Sequence, residues 1–116
     1  QNIYLESGCD LAHLIEVNDE EKIDLLLNKL LIPYKNKIDS IVLGCTHYPL
    51  IENKIKKILP NCNIIDGAIG VSNEVKHQLI NHNLLNNSNK KGTIIIKNSK
   101  DKNLINRSYE IIETPQ

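Results

Sequence analysis

Short runs of β-branched and aliphatic residues alternate along the chain with segments of helical periodicity. This alternation limits the possible folds more than any other feature. The runs that predict strands are residues 41–43, 63–66 and 93–96. Apolar residues recurring at three- and four-residue steps predict helices over residues 19–32, 49–59 and 71–80. Strands that alternate with helices form parallel sheets. The sequence therefore predicts an α/β fold, a parallel sheet flanked by helices.

The boundaries of these elements are marked unevenly. Asn18 or Asp19 is a suitable N-cap for the first of the predicted helices, and Pro33 marks its end. Residues 3–5 predict a short strand at the start of the chain. Residues 86–91 form a polar connector and are the only candidate domain boundary, while the apolar residues of the tail predict no definite element.

Composition excludes several classes of protein. The 14 basic and 14 acidic residues balance to a net charge of zero, which gives no long-range attraction to nucleic acid or to an anionic membrane. No apolar stretch approaches the ~20 residues that a membrane-spanning helix needs. The first residues do not resemble a signal peptide, and the three cysteines are an odd number. Reduced thiols in a cytoplasmic protein are therefore expected.

Cys45 is the strongest candidate for chemistry. It follows a predicted strand and precedes a predicted helix, and ligands of open α/β sheets bind at that edge. The helix start would offer free N–H groups to an anion and would favour the thiolate form of the cysteine. His47 could exchange a proton with Cys45, and Thr46 could hydrogen-bond a ligand anion. A small buried hydrophobic residue is an equally good interpretation of a cysteine in this position taken alone.

The complete motif favours the functional interpretation. It is the run Leu43-Gly44-Cys45-Thr46-His47-Tyr48-Pro49-Leu50. This run closely resembles the second catalytic motif of the glutamate racemases, in the aspartate/glutamate racemase family. Weaker similarities surround it: Cys9 with the segment ending at Glu16, residues 64–67, residues 73–75 and residues 92–96. The resemblance spans most of the chain.

The resemblance implies a cofactor-independent reaction in which two cysteines act on opposite faces of the substrate Cα. Cys45 would be the base that acts on L-glutamate, with His47 assisting its proton transfer. Thr46 would hold substrate carboxylates, so that Thr46, Cys45 and His47 all contact the substrate. Glu16 would lie near the amino group or in the proton-transfer network. The product would be D-glutamate for peptidoglycan, and so for cell-wall biogenesis and cell shape, in a bacterial cytoplasm. A homodimer of the full-length enzyme is compatible with this picture.

The same resemblance implies a domain organisation. Residues 1–85 would be most of the second of two similar, pseudo-symmetric α/β domains. Residues 86–116 would be a connector and a C-terminal segment that returns to pack on the first domain. The family's other catalytic cysteine and its Asp-Ser pair would lie upstream of this sequence. Two local departures are Asp10, where the family usually has proline in a segment one residue longer before Glu16, and Gly67, where serine is usual.

Two other interpretations stay open. The chain could be a truncated, non-catalytic remnant that binds a small dicarboxylate weakly or not at all, or part of a sister racemase acting on aspartate. A zinc site is disfavoured because the remaining cysteines and histidines lack paired ligand spacing. These residues are Cys9, Cys62, His13, His77 and His82.

Overall fold

A computed structural model of the protein describes residues 2–99 and 101–113. The chain divides into two compact units, residues 1–66 and residues 67–116. The predicted boundary between residues 85 and 86 concerns packing on a domain outside this chain, and it stays a prediction. In the predicted C-terminal segment, residue 100 and residues 114–116 lie outside the described residues.

The first unit is an α/β arrangement. Its helices are α1 (Leu11–Glu16), α2 (Glu20–Leu31) and α3 (Glu52–Ile58), with 3₁₀ turns at Ile32–Tyr34 and Tyr48–Ile51. Its strands are β1 (Ser40–Val42) and β2 (Asn63–Ile65). The strands pair in parallel, with Ile41 opposite Ile64 and Val42 opposite Ile65. The predicted α/β class with a parallel sheet flanked by helices is confirmed.

Helix α2 shows how local sequence sets the elements of this unit. The Asp19 carboxylate accepts a hydrogen bond from the Lys22 backbone N–H at 3.2 Å, which caps the first turn. Glu20 and Glu21 favour the positive end of the helix dipole. Helix α2 ends at Leu31, where Pro33 forces the chain into a 3₁₀ turn. The helix predicted over residues 19–32 is confirmed.

One apolar cluster forms the core of the first unit. It is made from the inner faces of the three helices, Leu43 after β1, Ile51 in the second 3₁₀ turn and Leu59 after α3. Its buried members are Leu11, Ile15, Ile23, Leu27, Leu31, Leu43, Ile51, Ile55 and Leu59. Ile41 and Ile64, which face each other across the two strands, pack against this cluster. The core therefore lies between the helices and one face of the sheet.

The other face of the sheet is not covered by the helices of the first unit. Val42 is 71% exposed and Ile65 is 48% exposed, and these two residues are paired across the strands. Alternate residues of a strand point to opposite faces. In the first unit the helices therefore cover only the face of Ile41 and Ile64.

The strand expected at residues 3–5 does not form. Residues 2–7 are irregular, and the ring of Tyr4 packs against that of Tyr34 with centroids 5.2 Å apart. The Tyr34 hydroxyl also donates a hydrogen bond to the Glu6 carboxylate. Side-chain contacts, rather than pairing with a neighbouring strand, therefore hold this segment.

The second unit contains helices α4 (Ala68–Asn81) and α5 (Lys102–Glu113). Helix α4 confirms the helix predicted from the period that starts at Val71, although none of its residues is buried. The strand predicted at residues 93–96 is wrong. The Ile96 N–H donates to the Tyr109 hydroxyl at 3.2 Å, and that hydroxyl lies 3.4 Å from the Ile94 carbonyl oxygen. The Tyr109 side chain of α5 thus contacts backbone groups that a partner strand would otherwise pair with. No described helix is long and apolar enough to cross a membrane.

Two leucines of α2 provide a matched test of the core. Leu27 is 2% exposed and Leu25 is 74% exposed. We expect Leu27→Ala to lower the free energy of unfolding by about 2–5 kcal/mol, because it leaves a cavity in the cluster. Leu25→Ala should change it by less than about 0.5 kcal/mol. Urea unfolding followed by circular dichroism measures both, and equal losses would contradict this core.

Candidate active site

Cys45 lies in the turn that follows β1, at the carboxyl end of the strand. Leu43 is buried, and its N–H donates to the Ile65 carbonyl at 2.8 Å, which extends the pairing with β2 by one residue. Gly44 then leads into the turn, where the Tyr48 N–H donates to the Cys45 carbonyl at 3.2 Å. The strand pairing thus fixes the backbone before Cys45, and the turn fixes the backbone after it. The Cys45 thiol itself is half-buried.

The structure brings Cys45, His47 and Glu16 together. The Cys45 sulfur lies 3.6 Å from His47 Nδ1, and His47 Nε2 lies 2.9 Å from Glu16 Oε1. Glu16 is the last residue of α1, so this second contact joins positions 31 residues apart. The His47 side chain is 32% exposed and that of Glu16 is 52% exposed, so the cluster opens to solvent on the carboxylate side.

The arrangement is a thiol–imidazole–carboxylate line. When Nε2 carries the proton that Glu16 accepts, the lone pair of Nδ1 faces the thiol. An imidazole oriented by a carboxylate is the usual partner of a nucleophilic or basic side chain in proteins. The geometry therefore allows a proton to pass between the Cys45 sulfur and His47. The sequence predicts a role for each of the three residues, and the structure adds the order in which their side chains contact one another.

The surroundings of Cys45 differ in one respect from the sequence expectation. The α-helix begins at Glu52 rather than directly after Cys45, because a 3₁₀ turn over Tyr48–Ile51 comes first. Tyr48 N–H and Leu50 N–H are used within this turn, on the carbonyls of Cys45 and His47. An α-helix N-terminus is therefore not available beside the thiol. Thr46 is exposed next to it, and its substrate contact stays a prediction.

Tyr48 belongs to this site, although the sequence motif that contains it assigns it no role. Its half-buried hydroxyl donates to the Gly8 carbonyl at 3.2 Å. Burial raises the pKa of the Tyr48 hydroxyl above its usual value, and electrostatic interaction with Cys45 and Cys9 raises it further. Tyr48 is therefore a persistent hydrogen-bond donor at neutral pH. No sequence pattern signals this contact, because its partner is a backbone carbonyl 40 residues away.

Five further cysteines and histidines are candidates for chemistry by residue type. Cys9 is exposed. Burial raises the pKa of the half-buried Cys62 thiol, and the charge of Asp39 raises this pKa further. His77 contacts the Asn81 side chain at 3.2 Å within α4. His13 and His82 are exposed. Among residues 2–99 and 101–113, no group of three or more candidate side chains is arranged to hold a metal ion.

Comparison with known sequences finds glutamate racemases. The chain is 51% identical over 77 residues to the glutamate racemase of Clostridium botulinum (strain Hall), covering 65% of this chain and 30% of that protein. It is 47% identical over 101 residues to that of Clostridium novyi (strain NT), covering 86% of this chain and 36% of the relative. The chain thus spans about a third of the length of these relatives. No family model matches it.

Comparison with solved structures gives the same result. A glutamate racemase from Thermus thermophilus, in complex with β-chloro-D-alanine, matches with a TM-score of 0.58 and 29% identity. The match covers 67% of this chain and 31% of that one. A glutamate racemase from Francisella tularensis, in complex with D-glutamate, matches with a TM-score of 0.57 and 29% identity, covering 69% and 31%.

Fold and site together define an α/β protein with a cysteine–histidine–glutamate cluster at the carboxyl end of a parallel strand. The similar sequences and the similar structures are both glutamate racemases. The chain is homologous to the glutamate racemases, as the motif around Cys45 suggested, and it corresponds to part of such a protein.

The raised pKa of Tyr48 predicts a specific pH dependence of stability. Because the folded pKa exceeds the unfolded value of 10.0, folding favours the neutral hydroxyl. Its contribution is complete below pH 10.0 and is lost as the pH rises through the raised value. We expect Tyr48→Phe to cost about 1 kcal/mol near pH 7. The difference from the wild type should shrink in alkaline solution.

Urea unfolding of both proteins between pH 7 and pH 11 measures this difference. Other groups that titrate in that range, such as Tyr34 and Lys54, are common to the two proteins and cancel. If the difference in free energy of unfolding stays constant or grows with pH, the claim that the protonated Tyr48 hydroxyl stabilises the fold is wrong.

Proposed function

We propose that the chain supplies one acid–base half of a cofactor-independent glutamate racemase, which interconverts L-glutamate and D-glutamate. The observation that carries this proposal is the line of contacts from Cys45 through His47 to Glu16. The relatives named glutamate racemase support the substrate assignment, as does the similar structure solved with D-glutamate. They also favour glutamate over aspartate.

In this mechanism Cys45 acts as a thiolate that removes the proton from Cα of L-glutamate. The thiol that forms can pass its proton to Nδ1 of His47, 3.6 Å away, and recover the thiolate. Glu16 holds the other ring nitrogen and so keeps Nδ1 facing the sulfur. A Cα proton is very weakly acidic, so fixed polar groups must also stabilise the carbanion-like transition state. Thr46 and the neighbouring amides would take the substrate carboxylates.

Inversion needs a second group on the far face of Cα. If Cys45 removes a proton from one face, a donor on the opposite face must return a proton to give the D-isomer. A second cysteine in the rest of a racemase polypeptide would supply it, since this chain spans about a third of its relatives. The D-glutamate would serve peptidoglycan synthesis in a bacterial cytoplasm.

A chimaera tests the function directly. The 101 residues of the Clostridium novyi racemase that align with this chain are replaced by those of this chain. We expect the chimaera to convert L-glutamate to D-glutamate. Cys45→Ser should reduce kcat by on the order of 10²–10⁴-fold, because the acid–base group on one face is lost.

Cys62→Ser is the matched control in the chimaera, since Cys62 is also a half-buried thiol of the first unit. It should leave kcat within about twofold, the change expected of a thiol outside the acid–base line. A folded chimaera without racemase activity would contradict the proposed function. Full activity in Cys45→Ser would contradict the role of the cysteine.

The 116-residue chain by itself should form no D-glutamate, because one acid–base face cannot invert Cα. Chiral chromatography of L-glutamate incubated with the chain measures this. Rapid D-glutamate formation by the chain, abolished by Cys45→Ala, would contradict this expectation. It would mean that the group acting on the second face of Cα does not lie in another part of the protein. A truncated, non-catalytic remnant would also be inactive alone, and the chimaera distinguishes it.

A further inference from the structure

The turn that carries Cys45 touches the turn that starts α1. The Tyr48 hydroxyl donates to the Gly8 carbonyl at 3.2 Å, and the same carbonyl accepts the N–H of Leu11 at 3.0 Å. Leu11 is the first residue of α1, and Glu16 is its last. The Gly8 carbonyl oxygen therefore contacts both Leu11, at the start of α1, and Tyr48, which follows His47. Helix α1 is the helix that carries Glu16.

Gly8 allows this close approach. A Cβ at position 8 would overlap the Tyr48 hydroxyl oxygen and would lie 2.9 Å from the ring carbon that carries it. Both atoms belong to a rigid, half-buried ring, so they cannot move aside as the end of a flexible side chain would. Any larger residue at position 8 must displace Tyr48 or shift the start of α1.

The position of α1 decides whether Glu16 reaches His47. Helix α1 has six residues, of which Leu11 and Ile15 are buried in the core and Leu14 packs against it. Glu16 itself is mostly in solvent, and its carboxylate oxygen lies 2.9 Å from the ring of His47. A small rotation or slide of so short a helix would open this distance. A fixed point at the start of the helix therefore matters.

We propose that Gly8 and Tyr48 are positioning residues, whose contact holds α1 so that Glu16 orients the ring of His47 toward Cys45. The consequence for catalysis rests on the proposed racemase function, but the consequence for the His47 ring does not. Tyr48 acts through Glu16 and His47, and it takes no part in proton transfer. The raised pKa of its hydroxyl agrees with this role, because the donor persists at neutral pH.

The test is the ¹⁵N spectrum of the histidine rings in the 116-residue chain at pH 7. These signals report which ring nitrogen carries the proton and whether it is hydrogen-bonded. Glu16→Gln provides the reference spectrum for a His47 ring without a carboxylate partner. We expect Tyr48→Phe and Gly8→Ala each to shift both His47 nitrogen signals toward this reference.

Each variant has a matched control. Tyr34→Phe also removes a tyrosine hydroxyl hydrogen bond, to Glu6. Gly70→Ala adds a methyl group where nothing lies within 4 Å. Both should leave the His47 signals at their wild-type positions. If Gly8→Ala fails to fold, as its amide spectrum would show, Tyr48→Phe decides alone.

Unchanged His47 signals in a folded Tyr48→Phe variant would overturn the proposal, and so would an equal shift in Tyr34→Phe. In the racemase chimaera, Tyr48→Phe should lower kcat several-fold with little change in KM. Absence of activity in the unmodified chimaera would contradict the proposed function only, since the ring signals still decide the positioning role.

Discussion

Burial of one apolar cluster holds the helices and strands of the first unit together, and the site residues are placed by their neighbours in that cluster. Ile15 is buried directly before Glu16, and Leu43 is buried two residues before Cys45. Ile51 is buried at the end of the 3₁₀ turn that follows His47. Each functional side chain therefore projects from a backbone that the core holds at a neighbouring position. This allows polar groups to lie near solvent and still keep fixed mutual distances.

The local part of this structure could be predicted from the sequence. Asp19 and Pro33 mark the limits of α2, and the short run ending at Gly44 marks β1 and the turn into the site. The motif around Cys45 also indicates the glutamate racemases, to which the chain is similar in sequence and in structure. These features depend on capping, proline geometry and residue periodicity, which act over a few residues.

The remaining features depend on contacts between distant residues. The β-branched run at residues 93–96 has strand propensity, but Tyr109 satisfies its backbone groups instead. The exposure of Val42 depends on which elements cover the sheet, which no local pattern states. The order Cys45–His47–Glu16 and the contact of Tyr48 with Gly8 span 31 and 40 residues of sequence. β-propensity and motif content cannot give these distances, because packing decides them.

The close approach of Tyr48 to the Gly8 backbone has a consequence for sequence change over evolutionary time. A side chain at position 8 and an aromatic ring at position 48 compete for the same space, so the two positions cannot drift independently. A lineage that gains alanine or a larger residue at position 8 must first lose the tyrosine or shift α1. Substitutions at these two positions should therefore be correlated on the branches of a family tree.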